Sequence, residues 1–254
     1  MNTQPLTDKR ILVTRPAEQA ARLASLIREA GGIAVEFPAI LIAPPSQPQQ
    51  LAQVIARLNQ FDLAIFISPT AVTRALQYLT HWPEHLPVAA IGSGSARALQ
   101  EAGVSQSVIA PIEGNDSETL LAMPEILNMA GRRVVIFRGE GGREHLADTL
   151  RQRGALVEYA ECYRREKPGA DIEPLLTDRF DAVIVTSTES LNNLRECLGT
   201  HWNALQPVPF FVPHARIAEA ANKAGVQHAI VSPSGDAACL EALSRYFHTA
   251  SDRD

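Results

Sequence analysis

Small hydroxyl side chains recur in this 254-residue sequence wherever a short apolar run gives way to a helical pattern. They are Ser68 in "ISPT", Ser93 and Ser95 in "GSGSA", Ser187 and Thr188 in "TSTES", and Ser232 and Ser234 in "SPSG". Together with the unpaired backbone N–H groups of a helix start, such hydroxyls can hold a carboxylate without making the chain basic. They equally suit plain helix capping. Arg15 and Arg138 stand at strand ends, where a guanidinium can pair with a carboxylate or brace a domain. Gly139 opens the stretch "GEGGRE", which lacks the third glycine of G-x-G-x-x-G because Glu144 stands there. No Lys-Ser/Thr follows as in a P-loop, so nucleotide binding is a weak reading. The turn could still offer backbone N–H groups to an anion.

The elements that must position these residues alternate along the chain. Apolar runs lie at 10–14, 63–67, 87–91, 107–110, 133–137, 182–186, 209–212 and 228–231, with longer helical patterns between them. Continuous apolar strands separated by helices predict parallel sheets covered on both faces, an α/β protein. After the first run, Pro16 suits the first helical position, Ala20, Leu23, Ala24 and Ile27 form one apolar face, and Gly31 suits the left-handed residue beyond the helix end.

The chain also repeats itself. "RILVTRPAEQAARLASLIREAGGIAVEFPAI" aligns without a gap with "RVVIFRGEGGREHLADTLRQRGALVEYAECY", pairing Arg15 with Arg138, Leu23 with Leu146 and Ile40 with Tyr163, 123 residues apart. "FDLAIFISPTAV" matches "FDAVIVTSTESL", with Ser68 on Ser187, and "ARALQEAGV" matches "AEAANKAGV". Three blocks in one order at nearly constant separation point to an ancient duplication. The glycines after Arg138 therefore occupy the places of Pro16 to Gln19.

Composition removes several classes of function. The net charge of −5 with no basic block argues against a nucleic-acid footprint. No apolar run approaches the ~20 residues of a membrane span, and the first residues lack the apolar core of a secretory signal, so a cytoplasmic address is expected. Cys162, Cys197 and Cys239 are scattered, which suits ordinary reduced thiols. His81 and His85 are interrupted by Pro83, and no metal is expected. A phosphoacceptor module would need an Asp at the end of a strand, whereas Asp62 and Asp181 precede theirs.

"ILVTRP", "FISPTAV", "AIGSGSARALQEAG", "CYRRE" and "IVSPSGDAACLEAL", in this order and spacing, resemble the uroporphyrinogen-III synthase family over essentially the whole chain. The resemblance implies two flavodoxin-like α/β domains joined by a two-stranded antiparallel ladder, with the active site in the cleft between them. One domain would comprise residues 1–37 and 169–254, the other 46–158, with 38–45 and 159–168 as the ladder strands. It implies a cofactor-independent enzyme that dehydrates and cyclises the linear tetrapyrrole hydroxymethylbilane with inversion of the last pyrrole, through an azafulvene and a spiro intermediate. Transient contact with the preceding pathway enzyme is compatible with it, and nothing demands more than a monomer. Tyr163 in "CYRRE" would face the cleft, where a phenol can give a proton to the departing hydroxyl; an interfacial packing role is the alternative. Arg164 and Arg165 follow, and on an extended strand only one of them can share the neighbourhood of Tyr163.

One departure stands out. The family's turn after the penultimate strand carries glycine and, three residues later, threonine. The first copy keeps this as Gly92 and Ser95, but the second has His214 and Ile217. Ile217 can supply no hydroxyl; His214 is the candidate to compensate, with a plain surface histidine as the favoured alternative. The competing reading from another class is a two-domain hinge-type binding protein for a small anionic ligand.

Overall fold

The computed structural model describes residues 4–104, 108–112, 114, 116–169, 172–233 and 235–251. The chain divides into two compact units, Met1–Leu41 with Glu166–Asp254, and Ile42–Arg165.

The strands of the first unit are β1 (Arg10–Val13), β2 (Ile33–Glu36), β9 (Ala182–Ile184), β10 (Phe210–Val212) and β11 (Ala229–Val231). Those of the second are β3 (Leu41–Ala43), β4 (Leu63–Phe66), β5 (Val88–Ala90), β6 (Val108–Ile109), β7 (Arg133–Gly139) and β8 (Leu156–Glu166). The first sheet runs β11-β10-β9-β1-β2, every pair parallel. In the second sheet β6-β5-β4-β7-β8 repeats that order, again in parallel, and β3 is added beside β8 at the edge.

The duplication reaches the register. Ile11 pairs with Ala182 and Val134 with Leu63, which are the residues the sequence alignment makes equivalent. Arg10 meets Ile33 and Arg133 meets Leu156, both displaced by 123. Even the strand entrances match: Arg10 donates its N–H to Asp181 at 2.8 Å, and Arg133 donates to Asp62 at 2.7 Å. These two aspartates tie the starts of neighbouring strands together.

Apolar strands form here because both faces are covered. In β1, Leu12 packs into one core while Ile11 and Val13 pack into the other, as the two-residue repeat of a strand requires. The second unit is built likewise, with Phe66 and Phe137 stacked at 4.5 Å on one face of its sheet. In the first helix, Ala20, Leu23, Ala24 and Ile27 are fully buried. Pro16 sits one residue earlier than expected, as the N-cap, because its ψ of 140° is extended rather than helical.

The eight apolar runs each hold a strand. β2 and β8 do not stand out as apolar runs, since β2 is half exposed and β8 interleaves charges with apolar residues. β8 is one continuous strand through the stretch that reads as a linker, pairing with β7 from Leu156 to Tyr163.

Candidate functional site

The sharpest arrangement of predicted residues lies at the C-terminal ends of β4 and β7, beside β8. Ser68 follows β4 and caps the helix Pro69–Leu76, its hydroxyl accepting the N–H of Ala71 at 3.0 Å. Pro69 starts that helix without loss, because its missing N–H would have no partner there. The same Ser68 oxygen lies 3.3 Å from the phenolic oxygen of Tyr163. Tyr163 is 1% exposed, its ring packed in the core beneath the sheet edge.

Gly139 explains how the ring fits. A Cβ at this position would stand 2.6 Å from Cε2 and 2.7 Å from Cζ of Tyr163, well inside contact distance. The two residues are register partners, with a bulge between Arg138 and Gly139 that brings the backbone against the ring. Gly139 is therefore a wall of the tyrosine pocket. The expectation that this loop acts as a helix N-terminus needs correction, since the helix begins only at His145, where its counterpart in the other copy begins at Ala17. Gly141 and Gly142 have φ of 69° and 105°, left-handed values that no helical first turn accommodates. The N–H of Glu140 is used within the sheet, donated to the Tyr163 carbonyl at 2.8 Å.

Arg165, two residues along the strand and so on the same side, donates from Nη2 to the Tyr163 oxygen at 3.3 Å, with its guanidinium 5.5 Å from the ring centre. Arg164 turns elsewhere and donates to the Pro44 carbonyl at 2.9 Å. The choice between the two arginines, open in the sequence, falls on Arg165.

Arg138 is buried, and its donors point into its own loop. It donates to the carbonyls of Gly139 (3.2 Å) and Gly141, pairs with Glu144 at 2.9 Å, and lies 4.6 Å from the ring centre of Tyr159. Glu144 also accepts from the Tyr159 hydroxyl. That hydrogen bond, aided by Arg138 and then Arg151, holds the Glu144 carboxyl below its ordinary range. Burial, and next Glu144, push the Tyr159 phenol up. Arg138 thus acts as a brace; Glu144 and Tyr159 carry no motif that marks them in sequence.

Arg15, its equivalent, is arranged differently. It pairs with Asp236 at the start of the last helix and lines a pocket with Thr186, Pro213, Ser232, Gly235 and Cys239 at the C-terminal edge of the first sheet. Ser232 is almost fully buried there. Ser187, just beyond Thr186, caps the helix Thr188–Leu198 by accepting from Ser190 N at 3.0 Å, and Thr188 begins that helix. The Cys239 thiol is pushed up to about 11, and that of Cys162 to about 12, both by burial, so neither is a ready nucleophile.

The remaining residues sit at helix starts. Ser93 is exposed and Ser95 buried in the first turn of the helix Ser93–Glu101, whose N-cap is Gly92. His214 occupies the equivalent N-cap, exposed and making no side-chain cap, while Ile217 is fully buried in the core. Ser234 lies outside the described residues. Among the described residues no group of histidine, cysteine and carboxylate side chains is disposed to hold a metal ion, and no helix is long and apolar enough to cross a membrane.

A family model described as "Uroporphyrinogen-III synthase HemD" matches residues 21–240. Uroporphyrinogen-III synthase of Escherichia coli K12 is 37% identical over 246 residues, covering 92% of this chain and 99% of that protein. The Salmonella typhimurium enzyme of the same name is 35% identical over the same shares. Among solved structures, a mutant uroporphyrinogen III synthase of Thermus thermophilus covers 97% of this chain and 100% of its own, with a TM-score of 0.61 at 19% identity. Uroporphyrinogen-III synthetase of Helicobacter pylori gives 0.61 at 17% identity, covering 93% and 99%; at these identities the likeness is one of fold.

Proposed function

We propose a mechanism for a chain that belongs to the uroporphyrinogen-III synthase family, taking that membership as the premise. Its function is that of the family, an enzyme of porphyrin and heme biosynthesis, and this disfavours the hinge-type binding protein. The reaction is that of a hydro-lyase: hydroxymethylbilane loses its terminal hydroxyl as water and closes to uroporphyrinogen III with the last pyrrole inverted.

Much of the reactivity belongs to the substrate. An electron-rich pyrrole expels the hydroxyl to give an azafulvene, and the same kind of ring attacks it. The protein's task is to favour attack by the substituted carbon over direct closure, a matter of holding the chain in one conformation. Helix starts and hydroxyls suit the acetate and propionate side chains: Ser93 and Ser95 in the second unit, Arg15, Ser187, Thr188, His214 and Ser232 in the first and, from the sequence, Ser234, while Ser68 and Gly139 serve instead by shaping the surroundings of the Tyr163 phenol. Arg138 contributes by fixing the loop after β7, since its guanidinium is taken up by Glu144 and two carbonyls.

Tyr163 is the acid for hydroxyl departure. The observation that carries this is the junction at its oxygen, where the Ser68 hydroxyl and the Arg165 guanidinium both lie at 3.3 Å. The resting phenol is covered, and the exposed Arg165 guanidinium beside it is a group suited to a substrate carboxylate as well. The chain works in this reading without a cofactor and as a monomer.

The test is to generate hydroxymethylbilane enzymatically, add the protein, oxidise, and separate the uroporphyrin isomers. Type III product is expected. Only the isomer of direct closure would sink the proposal.

A further inference from the structure

We infer that Ser68 is the positioning residue that orients the Tyr163 phenol for proton transfer, an inference that rests on the acid role proposed for Tyr163. A serine hydroxyl has one hydrogen and two lone pairs. The Ala71 N–H occupies a lone pair at 3.0 Å and fixes the oxygen at the helix start. The hydrogen can then turn to the phenol oxygen 3.3 Å away. With Ser68 and Arg165 both donating to that oxygen, Tyr163 keeps its own hydrogen directed outward, where a leaving hydroxyl can take it.

The step balances. The carbon–oxygen bond breaks with its electron pair leaving on oxygen, the phenolic hydrogen joins that oxygen to form water, and pyrrole electrons complete an azafulvenium cation that keeps its N–H. The phenolate left behind is held by the Ser68 hydroxyl. It recovers its proton when the free α-carbon of the last pyrrole loses hydrogen at final closure. No oxidant or reductant enters.

The other copy shows that capping alone does not require this contact. Ser187 caps its helix at the same 3.0 Å, yet its hydroxyl meets Ser190 Oγ at 2.9 Å, and Ile40 stands at the position equivalent to Tyr163. Capping and phenol orientation are therefore separable by experiment.

The experiment measures kcat, KM and isomer composition, with enzymatically generated hydroxymethylbilane, for Ser68→Ala, Ser68→Thr, Tyr163→Phe and the double variant S68A/Y163F. Ser187→Ala gives the thermal cost of losing a cap. S68A should lower kcat about ten- to hundredfold with KM little changed, and Ser68→Thr should restore most of it. In the Tyr163→Phe background S68A should cost nothing more, because its action passes through the phenol. If S68A fails to fold, Ser68→Asp keeps the cap acceptor without a hydroxyl donor, and the same loss in kcat is expected. A Ser68 loss that persists undiminished in the Tyr163→Phe background overturns this inference and leaves the acid role standing. Full turnover by Tyr163→Phe removes both.

Discussion

The two units share strand order and register, yet they differ around the phenol. Gly139 and Tyr163 of the second unit have Pro16 and Ile40 as counterparts, while Ser68 matches Ser187. Serine stands in both places because each helix start needs its N–H groups satisfied. Tyrosine and glycine occur together because the ring of one fills the space a Cβ of the other would take. A common frame thus carries a polar junction in one unit and, at the matched positions of the other, residues with no hydroxyl to join Ser187.

The largest effect should come from the pair Tyr163 and Ile40. Tyr163→Phe keeps the ring and removes only the oxygen, and turnover should fall by ~10² or more, as general acids contribute. Ile40→Val, at the matched site, should cost about 1 kcal/mol of stability with little change in kcat. Equal effects on turnover would break the distinction. Gly139→Ala comes next, since its methyl group must push the phenol ring aside. A displacement of that kind costs turnover about tenfold to hundredfold, whereas Pro16→Ala should leave turnover near wild type. Near-UV circular dichroism would report the displaced tyrosine.

Arg15 and Arg138 sharpen the contrast further. Arg138→Ala strips the loop of its internal donors and should lower stability by ~1–2 kcal/mol, discounted because Glu144 is half exposed. Arg15→Ala opens a pocket, so its larger effect should be on KM, with a smaller shift in melting temperature. A melting-temperature loss for Arg15→Ala as large as for Arg138→Ala would make Arg15 a brace as well.

Much of this was legible in the sequence. The apolar runs marked eight of the strands, and the gapless block displaced by 123 residues marked the equivalence of the two copies. The Ser68 cap could be read from its position, and Tyr163 was singled out by the resemblance. The loop after Arg138 could not, because glycines in a row announce backbone freedom but not its use. Whether Gly139 faces an anion or a ring depends on a bulge that no local pattern encodes. Glu144 and Tyr159 were equally hidden: they are fifteen residues apart on a helix start and a neighbouring strand, and only the fold brings them together. Arg165 required knowing that β8 stays extended past Tyr163.

The smallest effect, and the finest test of the comparison, concerns the Glu144–Tyr159 clamp. Its counterparts in the first unit are Ala21 and Glu36, and Glu36 pairs instead with Arg28 at 2.8 Å, so only the second unit joins a tyrosine to a carboxylate here. The Glu144 carboxyl is held low by Tyr159 first and Arg138 after. A carboxyl depressed by folding adds stability above its unfolded value near ~4.3, and that stability is lost as pH falls through the lower folded value. Tyr159, raised by burial and Glu144, acts at the other end: its contribution is full below ~10 and is lost as pH rises past the folded value. Glu144 is half exposed, so the gain is well under ~1 kcal/mol. Glu144→Gln should therefore melt slightly below wild type at neutral pH, and the gap should close as the pH drops below about 4. A gap that stays constant down to acid would mean the Glu144 charge does not hold the loop, leaving Arg138 and the glycine carbonyls to hold it alone.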